Sequence, residues 1–166
     1  MIAIVMGVSG VGKTTIGEPL ARALGWQFLD GDDFHPPQNV AKMAAGVALQ
    51  DADRWPWLER LNAELRRIEA AGRSAVLACS ALREAYRQRL TDELRAVRIV
   101  YLHGGFELIR RRLEERRHRY MPASLLQSQF DTLEPPRDAI AVDVSASLEE
   151  CVAEAAAALQ HDLRTP

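Results

Sequence analysis

Cysteine is nearly missing from this 166-residue chain: Cys79 and Cys151 are the only two, and no C-x-x-C pair occurs. That excludes a disulfide framework and a paired-cysteine zinc site, and leaves two free buried thiols suited to a reducing compartment. No apolar run approaches the roughly 18 residues that a membrane-spanning helix needs. The opening Met1-Ile2-Ala3-Ile4-Val5-Met6 lacks the charged start and cleavage site of a signal peptide, and reads as a buried strand. A basic excess is lacking too. The net charge is −2, so neither nucleic acid nor a membrane surface is an expected partner. Repeats, low-complexity tracts and linkers are absent, so the expectation is one cytoplasmic domain over residues 1–166.

What is present is an alternation of short apolar runs with longer helical patterns. Ile2–Met6, Gln27–Asp30, Ser74–Cys79, Val97–Leu102 and Ala139–Val144 are the predicted strands. Unbroken runs such as Ala75-Val76-Leu77-Ala78 suit strands covered on both faces, as in a parallel sheet. A helix is predicted after Arg54, with Pro56 in its first turn, apolar Leu58, Leu61, Leu65 and Ile68 at helical spacing, and Gly72 as its stop. Ser147-Leu148-Glu149-Glu150 has capping-box spacing and opens a last helix to about Gln160. The pattern predicts a three-layer α/β sandwich with right-handed crossovers. Gly17 and Pro19 break the local rule inside the first helix, where a proline normally costs about 3 kcal/mol, and a kink is expected there.

The strongest chemical signal is Gly7-Val8-Ser9-Gly10-Val11-Gly12-Lys13-Thr14, which fits G-x-x-x-x-G-K-[ST] between a strand and a helix. Glycines let successive N–H groups turn toward phosphate oxygens, and the following helix adds its positive end. Lys13 is placed to reach the β- and γ-phosphates of ATP, and the Thr14 hydroxyl to ligate Mg²⁺. The N-K-x-D segment of small GTPases is absent. The third strand ends in Cys79-Ser80 rather than the acidic residue of a switch or motor ATPase. The second ends in Phe28-Leu29-Asp30-Gly31-Asp32, setting two carboxylates at the sheet's carboxyl edge. One, Asp30, suits the Mg²⁺ shell; the other, Asp32, suits accepting the proton of an attacking hydroxyl.

Arg110, Arg111, Arg112, Arg116, Arg117 and Arg119 form an arginine-rich stretch. Arg110 and Arg111 read as a solvated helix face. Arg112 and Arg116 lie one helical turn apart, and Arg116 and Arg117 are expected at the charge that develops on the transferring phosphoryl group. The polar segment after them, about 116–130, is expected to be a small lid that excludes water. Residues of about 33–58 read as an acceptor-binding insertion, offering His35, Asn39, Lys42 and Arg54 to a hydroxylated anion. These residues alone do not say which anion.

The chain resembles the gluconokinases, which phosphorylate D-gluconate at its 6-hydroxyl. The resemblance runs over nearly the whole length. Its more specific segments are His35-Pro36-x-x-Asn39-x-x-Lys42-Met43, Asp51-x-Asp53-Arg54-x-Pro56-Trp57-Leu58, Cys79-Ser80-Ala81-Leu82-Arg83-x-x-Tyr86-Arg87 and Ser128-Gln129-Phe130. It implies a nucleoside-monophosphate-kinase-like P-loop NTPase fold, a parallel five-stranded sheet of order 2-3-1-4-5, Mg·ATP as donor and a homodimer. It also implies that Asp32 lies near the acceptor hydroxyl, that Arg112 and Arg116 belong to nucleotide and lid contacts, and that Arg83 joins the substrate site. Whether Tyr86, Arg87 and Gln129 touch substrate or brace the fold is open at this level. Two departures stand out. His118 and Arg119 replace the Gly-His usual in the family's lid, and Arg83 stands where Lys is common. The alternatives are a related kinase with a shikimate or nucleoside-monophosphate acceptor, and a nucleotide-binding regulatory protein without turnover.

Overall fold

A computed structural model describes residues 1–115 and 123–164, with backbone alone for 123 and 124. Five strands, β1 (Ile2–Met6), β2 (Gln27–Asp30), β3 (Ala75–Ala78), β4 (Val97–His103) and β5 (Ile140–Asp143), form one sheet of order β2-β3-β1-β4-β5. Every pairing is parallel, and β1 lies between β3 and β4. The expected strand order and α/β class are therefore observed.

The central strand explains the layering. All five β1 residues are fully buried, and its side chains alternate between two cores. Ala3 and Val5 face a cluster built with α1 (Lys13–Leu24), α5 (Phe106–Glu115) and α7 (Leu148–Arg164), including Leu20, Ile109, Ala155 and Leu159. Ile2, Ile4 and Met6 face the other, where α3 (Asp51–Ala70) contributes Trp57, Leu58, Leu61, Leu65 and Ile68, and α4 (Glu84–Thr91) contributes Tyr86 and Leu90. A run apolar at every position is thus used on both faces, as a strand inside a parallel sheet requires. Helices α2 (Pro37–Ala44) and α6 (Ala123–Thr132) complete the set.

Two local expectations change, at the start of the third helix and at the end of the last. The third helix begins at Asp51, so Pro56 lies inside it and not in its first turn. Asp53 closes the N-terminus by accepting from the Gln50 N–H at 2.9 Å, and acidic Asp51 and Asp53 match the positive helix end. The carbonyl that Pro56 leaves unbonded belongs to exposed Ala52. Helix α1 continues past Pro19, and the carbonyl left over there belongs to exposed Thr15. The segment of about 33–58 is largely helical: the end of a one-turn 3₁₀ segment (Gly31–Phe34), then α2, then the start of α3. The last helix has its capping box, Glu150 N–H to Ser147 Oγ at 3.2 Å and Ser147 N–H to Glu150 Oε2 at 2.9 Å, but continues to Arg164.

Leu65 is fully buried beneath the sheet, so Leu65→Ala should cost roughly 2–5 kcal/mol of unfolding free energy. Urea denaturation of the two proteins checks this, with a lowered midpoint and unchanged slope expected.

Candidate active site

The phosphate-binding turn occupies the gap between the end of β1 and the start of α1, at the carboxyl edge of the sheet. Its backbone conformation dictates its glycines. Gly7 has φ 147° and its absent Cβ would sit 2.6 Å from the Leu102 carbonyl oxygen; Gly10 has φ 82° and would meet Leu113 at 2.5 Å. Lys13 Nζ arches back over the loop and donates to the carbonyls of Gly7 and Val8, each at 3.1 Å. Ser9 is gripped from α6: its N–H donates to Gln129 Oε1 at 2.7 Å, and Gln129 Nε2 donates to Ser9 Oγ at 2.9 Å.

The acidic turn joins this cradle directly. Thr14 Oγ1 donates to Asp30 Oδ2 at 3.0 Å, while Asp30 Oδ1 accepts from the Asp32 N–H at 3.0 Å. Thr14 and Asp30 therefore present a hydroxyl and a carboxylate as adjacent hard-oxygen groups, of the kind Mg²⁺ takes together with phosphate oxygens and water. Trp57 fixes the turn from below, its indole N–H donating to the Gly31 carbonyl at 2.8 Å. A side chain at Gly31 would strike the Ala78 carbonyl, at 2.8 Å from the Cβ position. Asp32 itself is open, with 61% of its side chain exposed.

Beside Asp32 lies a buried polar group that sequence alone did not separate from the surface. His35 stacks on Trp57, ring centroids 4.2 Å apart, with Nε2 3.9 Å from Asp32 Oδ1. Burial pushes its pKa down, against the raising effect of Asp32, so the ring is neutral at pH 7. Asn39, only 1% exposed, turns its amide nitrogen to the Asp53 carbonyl at 2.9 Å and to His35 Nδ1 at 3.3 Å. That contact assigns the acceptor role to Nδ1 and the proton to Nε2, toward Asp32. Asn39 Oδ1 is buried with no hydrogen-bond partner among the described residues.

The expected acceptor cations are already matched to carboxylates. Lys42 bonds Asp53 at 2.6 Å, and this hydrogen bond holds the Asp53 carboxyl below the usual range. Arg54 and Arg83 converge on Asp51 at 3.6 and 3.3 Å, and both guanidiniums lie over the Tyr86 ring, at 5.5 and 5.7 Å. Tyr86 OH completes the group by donating to Asp51 at 2.5 Å. Asp51 and Tyr86 lie 35 positions apart, so no local pattern announces their pairing. Arg87 is a brace: buried, it donates to the carbonyls of Ala81 and Leu82 at 2.9 and 3.1 Å, holding a loop in which Ala81 adopts φ 42°.

Of the arginine stretch, Arg110 pairs with Glu107 and Glu114 on the exposed side of α5. Arg112 donates to the Val144 carbonyl just beyond β5, which ties α5 to the sheet edge. Arg116, Arg117, His118 and Arg119 lie outside the described residues, as does the first part of the expected lid; its second part is helix α6.

A parallel sheet of order β2-β3-β1-β4-β5 with a Gly-Lys-Thr turn at its carboxyl edge defines a P-loop NTPase of the nucleoside-monophosphate-kinase-like class. Comparison with known proteins agrees. A family model described as an AAA domain matches residues 2–136. A protein of Xenopus tropicalis named probable gluconokinase is 45% identical, over 93% of this chain and 90% of that one. The gluconokinase of Gluconobacter oxydans is 48% identical over 81% of this chain and 76% of its own. The crystal structure of a gluconokinase from Sinorhizobium meliloti superposes with a TM-score of 0.87 at 43% identity, covering 96% of this chain and 91% of that one. The chain belongs to the gluconokinase family of ATP-dependent kinases.

Two outcomes are expected. Gly10→Ala should lose nucleotide binding, because its Cβ strains the left-handed backbone and drives into Leu113; titration with Mg·ATP reads this directly. Cys79, whose thiol burial pushes up to about 12, should resist Ellman's reagent at pH 8 in native protein and react on unfolding.

Proposed function

We propose that this chain is an ATP:D-gluconate 6-phosphotransferase, a single kinase domain over residues 1–166 working as a cytoplasmic homodimer. The observation that carries the reading is the continuity from Thr14 through Asp30 to Asp32, which sets an open carboxylate next to a phosphate cradle. Family membership supplies the acceptor, and two buried free thiols suit a reducing cytoplasm.

In this reading residues Gly7 to Thr14 bind the ATP phosphates, and Arg112 belongs to the nucleotide side. Thr14 and Asp30 would hold Mg²⁺, which when bound would neutralise charge on the ATP phosphates. Asp32 accepts the proton of the 6-hydroxyl as that oxygen forms its bond to the γ-phosphorus. The bond from phosphorus to the bridging oxygen breaks, and its electron pair leaves with ADP. Lys13, Arg116 and Arg117 stabilise the charge on the transferring group.

His35, Asn39, Lys42, Arg54 and Arg83 receive the sugar acid. The unpaired Asn39 Oδ1 fits a hydroxyl donor, and the two guanidiniums gathered by Asp51 fit the substrate carboxylate. Arg83 in place of a lysine keeps the charge and adds a fork.

ADP release with D-gluconate, shikimate, AMP, CMP or no acceptor tests the proposal. Gluconate-dependent turnover well above the others is expected; preference for another acceptor overturns it. Asp32→Asn should lower turnover by at least about a hundredfold while Mg·ATP still binds.

A further inference from the structure

The peptide unit between Val8 and Ser9 is held at both ends. Its carbonyl accepts from Lys13 Nζ at 3.1 Å and from the Val11 N–H at 3.3 Å. Its N–H donates to Gln129 Oε1 at 2.7 Å. In a trans peptide the C=O and N–H point in opposite directions, so rotating this plane breaks both attachments together. The second arm of Gln129, to Ser9 Oγ at 2.9 Å, uses the fact that a primary amide offers an acceptor and a donor side by side. One planar amide thus meets a backbone N–H and a hydroxyl at the same residue. Gln129 arrives from α6, 120 positions away, and α6 is itself seated by buried Leu126, by Phe130 against Phe106, and by the Glu134 N–H on the Leu82 carbonyl at 2.9 Å. The clamp is thus applied from a helix with anchors of its own at Phe106 and Leu82.

We propose that Gln129 is a positioning residue for phosphoryl transfer: by fixing the Val8–Ser9 peptide from the side opposite Lys13, it sets the place of the Lys13 ammonium. The proposal deepens the kinase reading for its effect on turnover, whereas its effect on Lys13 stands without it. A Gln129 serving only to hold α6 in place would act on stability and leave the ammonium where it is.

The chain contains only two lysines, Lys13 and Lys42, so protein labelled with ¹³C at the lysine ε-carbon gives a two-signal spectrum. Lys42, bonded to Asp53, is the internal control. In ligand-free Gln129→Met, of similar length but without the amide, the Lys13 signal should shift while that of Lys42 stays. Gln129→Asn, one methylene too short to span the gap, should do the same if the methionine variant does not fold. The folded variant should melt within a few degrees of the parent and show kcat/KM for ATP lowered about tenfold, with KM for the acceptor little changed. An unmoved Lys13 signal, or Lys13 and Lys42 moving together, overturns the proposal. Failure of the parent to phosphorylate gluconate would sink the assignment of substrate and leave the spectrum to decide on Gln129.

Discussion

The bond between Thr14 and Asp30 is the joint on which the site depends. β1 and β2 are separated in the sheet by β3, and among the described residues no backbone hydrogen bond joins the turn after β1 to the turn after β2. The Asp30 carboxylate bridges them, accepting from Thr14 with one oxygen and from the Asp32 N–H with the other. A single side chain therefore relates the phosphate cradle to the turn that carries Asp32. Phosphoryl transfer leaves little covalent work for the protein and rests on positioning, which makes this spacing the quantity to be held. Trp57 and Gly31 support it from beneath, through the indole hydrogen bond and the close approach to Ala78.

Around that joint the charges are arranged before any ligand arrives. Lys42 rests on Asp53, and Arg54 and Arg83 on Asp51. Such half-exposed pairs add little to stability, because solvent screens them and long side chains lose freedom in making them. Their value is placement: the guanidiniums of Arg54 and Arg83 are gathered over Tyr86, beside the Asp51 carboxylate. The same economy of placement holds at the loop, where Lys13 lies on the Gly7 and Val8 carbonyls.

The buried His35, Asn39 and Trp57 group carries a different kind of constraint. His35 stacked on Trp57 and turned by Asn39 gives the wall beside Asp32 a defined face, with a neutral ring and one orphaned amide oxygen. A buried acceptor without a partner costs about 1–3 kcal/mol, a cost that a donor reaching Asn39 Oδ1, water included, would remove.

By itself the sequence determined the fold class, the sheet order through family resemblance, the cradle at residues 7–14 and the acidic turn at Asp30 and Asp32, because each is written in neighbouring residues. Periodicity marks a strand buried on both faces, and fixed spacing marks a turn that must present N–H groups. Pro56 was misread as marking a helix start, since local rules cannot register that the carbonyl it orphans lies on exposed Ala52. Only the tertiary structure decided which polar residues meet. Tyr86 with Asp51, Arg112 with Val144 and Gln129 with Ser9 join positions 35, 32 and 120 apart, and Asn39 became a buried group under Asp53 rather than a surface amide. The physical reason is that a side-chain hydrogen bond depends on distance in space to within a few tenths of an ångström, and the packing of helices on the sheet sets that distance, not the spacing along the chain.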